Sequence, residues 1–434
     1  MRYGTLIILA SFIIFQSIQS KNLHLIRQMR RKGNTRSLPI NKSSNNTLSD
    51  SFITLAENES ELIIKIPENC LPNANADITY MIADTKFNGT DLRILEFGEG
   101  TRSRFEGYDA LHGKGAMWKQ FWTYLASFNL PIYYVAPEMH AAHAAEIDYQ
   151  TFLSINGKHI FNMYQAIDIA SSIPTKTLTR NITALSDYSA IIVIRHLDAS
   201  SPIIRAFKKR FPNFLILDSS SAPFLNNKYK TSSLFDNHIE LETLRPANKL
   251  YEKKYTKELA QTICNDFPNT DILVIKPLTG CKGYGIIMVE KKDLDKTLYT
   301  IFEESEKIAK MDDTSYSYWA QDANKTFLIE QYERSKLIKL PNDATKSYDA
   351  TLRIVFSISY QNETMHLKIF NGYWKLPLKA QEEEGSLTEK IKSKINPERA
   401  SSLKLSAEDR ALVSTILKKY VPIVYYRMLA EQNK

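Results

Sequence analysis

At 434 residues, with 43% hydrophobic and 24% charged residues, the chain has the composition of a globular protein and room for two or three packed domains. A formal charge of +8, from 56 basic and 48 acidic residues, favours polyanions such as nucleotides without naming one, and no nucleic-acid partner is expected. Cys70, Cys264 and Cys281 are odd in number and widely spaced, which gives neither a disulfide framework nor zinc-ligand spacing.

Residues 1–20 read as a secretory signal: Arg2, an apolar run from Thr5 to Phe15, then a short polar stretch ending at Ser20. The apolar core is shorter than the roughly 20 residues a membrane span requires. The expectation is an exported protein with no stable span once the signal is removed. Residues 21–60, polar, basic and rich in Ser and Asn, read as a linker.

Residues 61–235 alternate short apolar runs with helical patterns. Leu92–Phe97, Ile132–Val135, Ala190–Ile194 and Phe214–Leu217 are the expected strands, with helices at Ala116–Phe128 and Ser201–Arg210 between them. That alternation predicts an N-terminal open α/β domain built on a parallel sheet. Residues 236–434 change character. Leu241, Leu244, Leu250, Tyr255, Leu259 and Ile263 predict a long helix over 240–267. Strands follow at Ile272–Ile275, Gly285–Glu290 and Thr326–Tyr332, with a helix from Leu294 to about Lys310 between the last two. Thr351–Tyr360 and Met365–Phe370 read as an antiparallel pair, and Ala407–Leu429 as a closing amphipathic helix. The fold class is therefore α/β, with an α+β C-terminal half built on antiparallel sheets.

Lys276 ends an apolar strand and Pro277 follows it at once. The loop Thr279–Gly285 then carries three glycines and Lys282, so its N–H groups can approach a polyphosphate closely. A strand, not a helix, resumes afterwards, which rules out a P-loop. Thr326–Tyr332 ends in Glu330-Gln331-Tyr332, offering main-chain groups to an adenine edge and a carboxylate to ribose. Asp349, Thr351 and Arg353 fall at even offsets, which on a strand share one face. A carboxylate for Mg²⁺ beside a guanidinium for phosphate oxygens suits phosphoryl chemistry.

In this order the segments VIKPLTGCKGYGIIMV and FLIEQY, with the later Asp349 and Arg353, resemble the ATP-grasp superfamily over roughly residues 240–380. The resemblance implies a pre-ATP-grasp-like domain followed by an ATP-grasp-like domain that binds ATP and Mg²⁺ between two lobes. It implies a ligase joining a carboxylate to an amine through an acyl-phosphate, the acceptor being a small molecule or peptide. By that resemblance Lys276, Gly280, Lys282 and Gly283 meet the phosphates, as does Lys249 of Asn248-Lys249. Glu330, Gln331 and Tyr332 line the adenine pocket and Glu333 reaches the ribose. Asp349 and Arg353 are the catalytic pair, and Asp349 and Asn371 the metal ligands. The family's Glu-x-Asn pair is absent, since His366-Leu-Lys-Ile-Phe-Asn371 has no acid two residues before the asparagine. A nucleotide-binding protein that has lost catalysis is therefore the alternative.

Two N-terminal patterns complete the reading. In LEFGEGTRSRFEGYD, Arg102, Ser103 and Arg104 are candidates for binding an acidic substrate. The opening also resembles the first motif of S-adenosylmethionine methyltransferases, but Arg102 replaces the third glycine and no acid ends a second strand. His140, His143 and Glu146 fall at helical spacing without a fourth ligand, so a solvated helix face is the simpler reading.

Overall fold

A computed structural model describes residues 51–102, 105–136, 149–160, 162–173, 182–195, 201–225, 227–280, 283–311, 313–393 and 401–431. Contacts divide the chain into residues 1–46 and 47–434, and every described residue lies in the second unit. The expected signal therefore falls outside the described residues. Among them, no helix is long and apolar enough to cross a membrane.

In chain order, β1 (Ile53–Asn58) and β2 (Glu61–Lys65) form a hairpin, followed by β3 (Asp77–Phe87) and β4 (Leu92–Glu99). Helices α1 (Glu106–His112) and α2 (Ala116–Ala126) lead to β5 (Ile132–Val135), α3 (Tyr149–Ser154), β6 (Gly157–Ile160) and α4 (Met163–Ser172). Then come β7 (Ala190–Ile194), α5 (Pro202–Arg210), β8 (Phe214–Ile216) and α6 (Lys228–Ser233). Strands β5 to β8 make a parallel sheet in the order β6-β5-β7-β8. The class is thus α/β, as expected.

One expected strand belongs elsewhere. Leu92–Phe97 lies in the antiparallel strand β4, and its place in the parallel sheet is taken by Gly157–Ile160. The reason lies in the pattern: Leu92, Ile94 and Phe97 face a core while Arg93, Leu95 and Glu96 are only half buried. That alternation, shifted by an irregularity in the β3–β4 register, suits an antiparallel strand, whereas a central parallel strand such as β7 is apolar and buried throughout.

The second half supplies β9 (Asn248–Glu252), α7 (Leu259–Asp266), β10 (Ile272–Pro277), β11 (Ile287–Glu290), α8 (Leu294–Glu303) and β12 (Thr326–Gln331). Strands β11-β10-β12-β9 form an antiparallel sheet in that order. The long helix expected over 240–267 is broken: Pro246 precedes Asn248–Glu252, which pairs with β12, and only Leu259–Asp266 is a helix of two turns. Apolar residues three to five apart served a strand and a helix in succession. Proline removes a helix donor, and β12 offers Asn248–Glu252 a full ladder instead.

After the hairpin β13 (Ile338–Leu340) and β14 (Asp343–Tyr348) come β15 (Thr351–Gln361) and β16 (Thr364–Lys375). They pair as expected around Asn362-Glu363, both at positive φ (46° and 62°), which matches the twist of a two-residue hairpin. A short helix α9 (Leu387–Ile391), strand β17 (Ser402–Lys404) and helix α10 (Ala407–Glu431) close the chain. The largest sheet runs β1-β2-β16-β15-β3-β4, with β17 on β16, so strands from both sides of residue 235 share one sheet. One face packs on α10 through Val413, Leu417, Val421 and Met428. The other packs on α2 through Met117, Trp118, Phe121 and Trp122. Each buried side chain of this kind contributes about 1.5–3 kcal/mol, so these two helices fix the sheet whose edge carries the site.

Candidate functional site

The site is assembled where the four-stranded sheet meets the seven-stranded one. Register places Lys276, Val274, Leu328, Glu330, Asn248 and Leu250 on one face of the four-stranded sheet, because Lys276 stands opposite Leu328, Val274 opposite Glu330, and Glu330 opposite Asn248. The other face, carrying Leu273, Ile275, Phe327 and Ile329, is covered by α7 and α8. Lys276 is only 5% exposed and donates to Glu330 Oε1. It is therefore no solvated strand end. Arg245 reaches Glu330 Oε2 at 3.1 Å, and is itself anchored on the Ile94 carbonyl at 2.9 Å and the Leu95 carbonyl.

Two further groups continue from this pair. Tyr332, just past β12, donates its hydroxyl to Asp349 Oδ2 at 2.7 Å. Asp349 Oδ1 also accepts from Lys86 Nζ at 2.8 Å and the Ser335 N–H at 3.0 Å. On β3, two residues from Lys86 and on the same face, Asp84 accepts a bidentate pair from Arg353, both at 2.7 Å, and a third bond from Lys375 at 3.1 Å. Asp349 precedes β15 and Arg353 lies on it, and each is matched by its own partner from β3, Lys86 for Asp349 and Asp84 for Arg353.

The electrostatics follow from burial and pairing. Burial alone would raise Asp84, yet Arg353 and Lys375 outweigh it and hold the carboxyl well below its ordinary range. Burial lowers Lys375, with Arg353 adding to the effect and Asp84 opposing it. Burial likewise lowers Lys86 against the pull of Asp349. The Tyr332 hydroxyl is pushed far up by burial and by Asp349. Glu333 is raised by burial, and Arg93 only partly opposes this.

The loop after β10 holds its three described glycines at positive φ. Gly280, Gly283 and Gly285 have φ of +115°, +74° and +71°, the left-handed region in which a side chain is strained. A Cβ on Gly285 would also lie 2.7 Å from both the Pro277 ring and the Tyr318 ring. Two lysines that the sequence reading missed hold this loop. Lys228 Nζ donates to the Gly280 carbonyl at 2.9 Å, and Lys392 Nζ donates to the Ile286 carbonyl at 3.2 Å and to Ser315 at 2.8 Å.

Several expected residues go elsewhere. Lys249 stands opposite Ile329, on the face away from Lys276, and is tied to Asp266 at 2.8 Å. The N–H groups of Gln331 and Tyr332 are already taken by the Ala247 and Ile272 carbonyls, at 2.8 and 3.1 Å. Among the described residues the first main-chain amide past β12 without such a bond is that of Glu333. Asn371 bonds its own neighbour Gly372 and the Tyr108 hydroxyl, at 2.8 and 3.2 Å. No hydrogen bond among the described residues joins it to Asp349, whose carboxylate accepts from Lys86, Ser335 and Tyr332. Among the described residues no group of three His, Cys, Asp or Glu side chains is placed to hold one. Lys282, Ser103, Arg104, His140, His143 and Glu146 lie outside the described residues.

Arg102 pairs with Glu99 at 2.7 Å. The glycines of LEFGEG serve packing: a Cβ on Gly98 would lie 3.0 Å from Ile82, and one on Gly100 only 2.3 Å from the Tyr80 ring. Neither has positive φ, so the turn that a nucleotide-binding loop draws from its glycines is not what they provide here.

No family model and no curated protein matches the chain. Its backbone is similar to that of a protein from Methylobacillus flagellatus KT assigned as a gamma-glutamylcysteine synthetase, with TM-score 0.45 and 9% identity over 83% of this chain and 91% of that one. It is also similar to D-alanyl-alanine synthetase A from Vibrio cholerae, with TM-score 0.35 and 11% identity over 68% and 80%, and to an ATP-grasp RimK domain protein from Sphaerobacter thermophilus, with TM-score 0.27 and 9% identity over 55% and 90%. Likeness this distant assigns no activity.

Proposed function

We propose that the chain is an ATP-dependent ligase of ATP-grasp type, joining a carboxylate to an amine, with the nucleotide held between the four-stranded antiparallel sheet and the seven-stranded one. The carrying observation is the buried Lys276–Glu330 pair on adjacent strands, directly before a loop with three glycines at positive φ. ATP would supply the phosphoryl group that activates the carboxylate as an acyl-phosphate. Lys276 and the loop N–H groups would hold its phosphates, Glu333 and the main chain after β12 its adenosine, and Arg353 with Lys375 the charge that develops on transfer. The protein from M. flagellatus is assigned as a gamma-glutamylcysteine synthetase, and that from V. cholerae is named a D-alanyl-alanine synthetase. A small amino acid or peptide acceptor is in keeping with both. Export remains part of the proposal and rests on residues 1–20 alone.

The second reading, a nucleotide-binding protein without catalysis, is favoured by one observation: Asp349 and Asn371, the expected metal ligands, are both engaged by protein groups. ADP release separates the two. The full chain is supplied with ATP, Mg²⁺ and a mixed pool of amino acids and peptides, beside Lys276→Ala. Acceptor-dependent release that the variant loses supports the ligase. ATP binding without release, lost in the variant, selects the second reading. Absence of both removes the proposal.

A further inference from the structure

One edge of β16 is interrupted. Along its other edge β15 pairs with it from end to end, but here β2 takes only Thr364–Lys368 and β17 only Tyr373–Lys375. Between them the Ile369 N–H reaches the Ser60 carbonyl at 2.8 Å, and among the described residues no strand pairs with Phe370, Asn371 and Gly372 on that side. Helix α10 covers the gap with Arg410, Val413 and Ser414 and leaves a cavity of about 160 Å³. Ile354, Ile369, Leu405 and Val413 make its walls apolar. A Cβ on Gly372 would stand 2.5 Å from Ile354 and 3.4 Å from Leu405, so the missing side chain keeps the space open.

The polar groups of this cavity are left underused by the chain. Ser414 is 4% exposed, and its hydroxyl makes no hydrogen bond to another described residue. At the mouth Arg410 meets Glu59 through Nε alone, at 3.0 Å, with side chains 45% and 62% exposed. So exposed a pair contributes little to stability, and a ligand can part it. The terminal nitrogens of Arg410 and the second oxygen of Glu59 have no partner among the described residues. Arg410 and Ser414 stand one turn apart on α10, so both can donate to one carboxylate.

The geometry points to a binding site for a free α-amino acid with an apolar side chain. Its carboxylate meets Arg410 and Ser414, its ammonium meets Glu59, and its side chain enters between Ile354, Ile369 and Val413. An apolar cavity of about 150 Å³ admits a benzene ring, so leucine and phenylalanine are matched in size. Glycine has nothing to bury. The site lies beneath α10, and it stands whether or not Lys276 binds a nucleotide.

Calorimetric titration of the full chain tests this, with L-leucine, L-phenylalanine, glycine and 4-methylpentanoate as probes. The last carries the side chain and carboxylate of leucine without its ammonium. The wild type should bind L-leucine or L-phenylalanine saturably, and glycine and 4-methylpentanoate about tenfold more weakly or worse. Arg410→Gln should weaken the favoured probe by about tenfold or more, and Val413→Phe, which fills the cavity, should abolish its binding. Arg410 is at the surface, so its variant decides the matter even where Val413→Phe fails to fold. A wild type that binds neither L-leucine nor L-phenylalanine overturns the inference. Glycine or 4-methylpentanoate binding as tightly as L-leucine overturns it too, since the cavity or Glu59 would then have no part. Binding unchanged in Arg410→Gln places the amino acid elsewhere in the protein and likewise overturns it.

Discussion

Asp84→Asn should be among the most destabilising single changes in this protein. The substitution keeps volume and shape and removes one negative charge from between two cations, Arg353 at 2.7 Å and Lys375 at 3.1 Å, whose side chains are each 12% exposed. At an effective dielectric of about 20, one such contact is worth about 5 kcal/mol of attraction before desolvation is subtracted. Loss of the carboxylate also leaves two like charges side by side in a largely dry place. The net cost of orphaning a buried charge is about 3–5 kcal/mol, and the expected loss lies in that range. Urea unfolding of wild type and variant at neutral pH measures it. The pH dependence has a definite sign. The folded-state pKa of Asp84 is depressed, so its contribution is complete above the unfolded carboxylate range. It is lost only as pH falls from there through the lower folded value. The difference between wild type and Asp84→Asn should therefore be constant near neutrality and shrink in strong acid. Arg353→Met in the Asp84→Asn background should cost much less than alone, because the two act on one interaction. A loss below about 1 kcal/mol, or additive single and double variants, would refute the reasoning.

Tyr332→Phe removes the hydroxyl that donates to Asp349 and should cost about 1–2 kcal/mol; an unchanged urea midpoint would show the bond to be unimportant. Gly285→Ala should destabilise more than Gly113→Ala, since both have positive φ but a Cβ meets Pro277 and Tyr318 only at Gly285; the two melting temperatures settle the order. Asp77 is raised by burial even though Tyr425 donates to it at 2.6 Å, so the folded protein favours its protonated form. That contribution is full below the unfolded carboxylate pKa and is lost as pH rises through the folded one, so Asp77→Asn should match wild type in acid and gain on it toward neutrality. Equal melting curves across that range would contradict it.

Strands with simple apolar patterns were legible in the sequence: Ile132–Val135, Ala190–Ile194 and the β15–β16 hairpin stand where their residues predict. What escaped was non-local. Lys86 and Asp84 sit more than 260 residues from Asp349 and Arg353 in the chain, and no spacing rule links a charge to a partner on a strand so far away. Arg245 was hidden inside a helical pattern that Pro246 and the β12 ladder dissolved. At Gly98 and Gly100 the missing side chain makes room for Ile82 and Tyr80, a close approach between distant segments that glycine frequency does not reveal. It informed at Gly280, Gly283 and Gly285, because there the backbone itself is left-handed.

The pairing pattern separates residues that can be released to a ligand from residues that cannot. Glu330 has two cations, and Arg245 is fastened to two carbonyls. If a phosphate draws Lys276 away, Glu330 keeps Arg245 and no buried charge is orphaned. Asp84 is built the same way: should Arg353 turn toward a ligand, Lys375 remains. Asp349 differs, because its three donors include a backbone N–H and Lys86, which is 3% exposed and also donates to the Asp349 and Ala350 carbonyls. Withdrawing Asp349 to serve a metal would strand a lysine in the core at a cost of several kcal/mol. Lys276→Met should therefore lower ligand affinity more than stability, whereas Asp349→Asn should lower stability first. A nucleotide titration beside a urea melt on each variant reads both quantities. The opposite ranking would mean that Asp349 faces the ligand and that the division of roles drawn here is inverted.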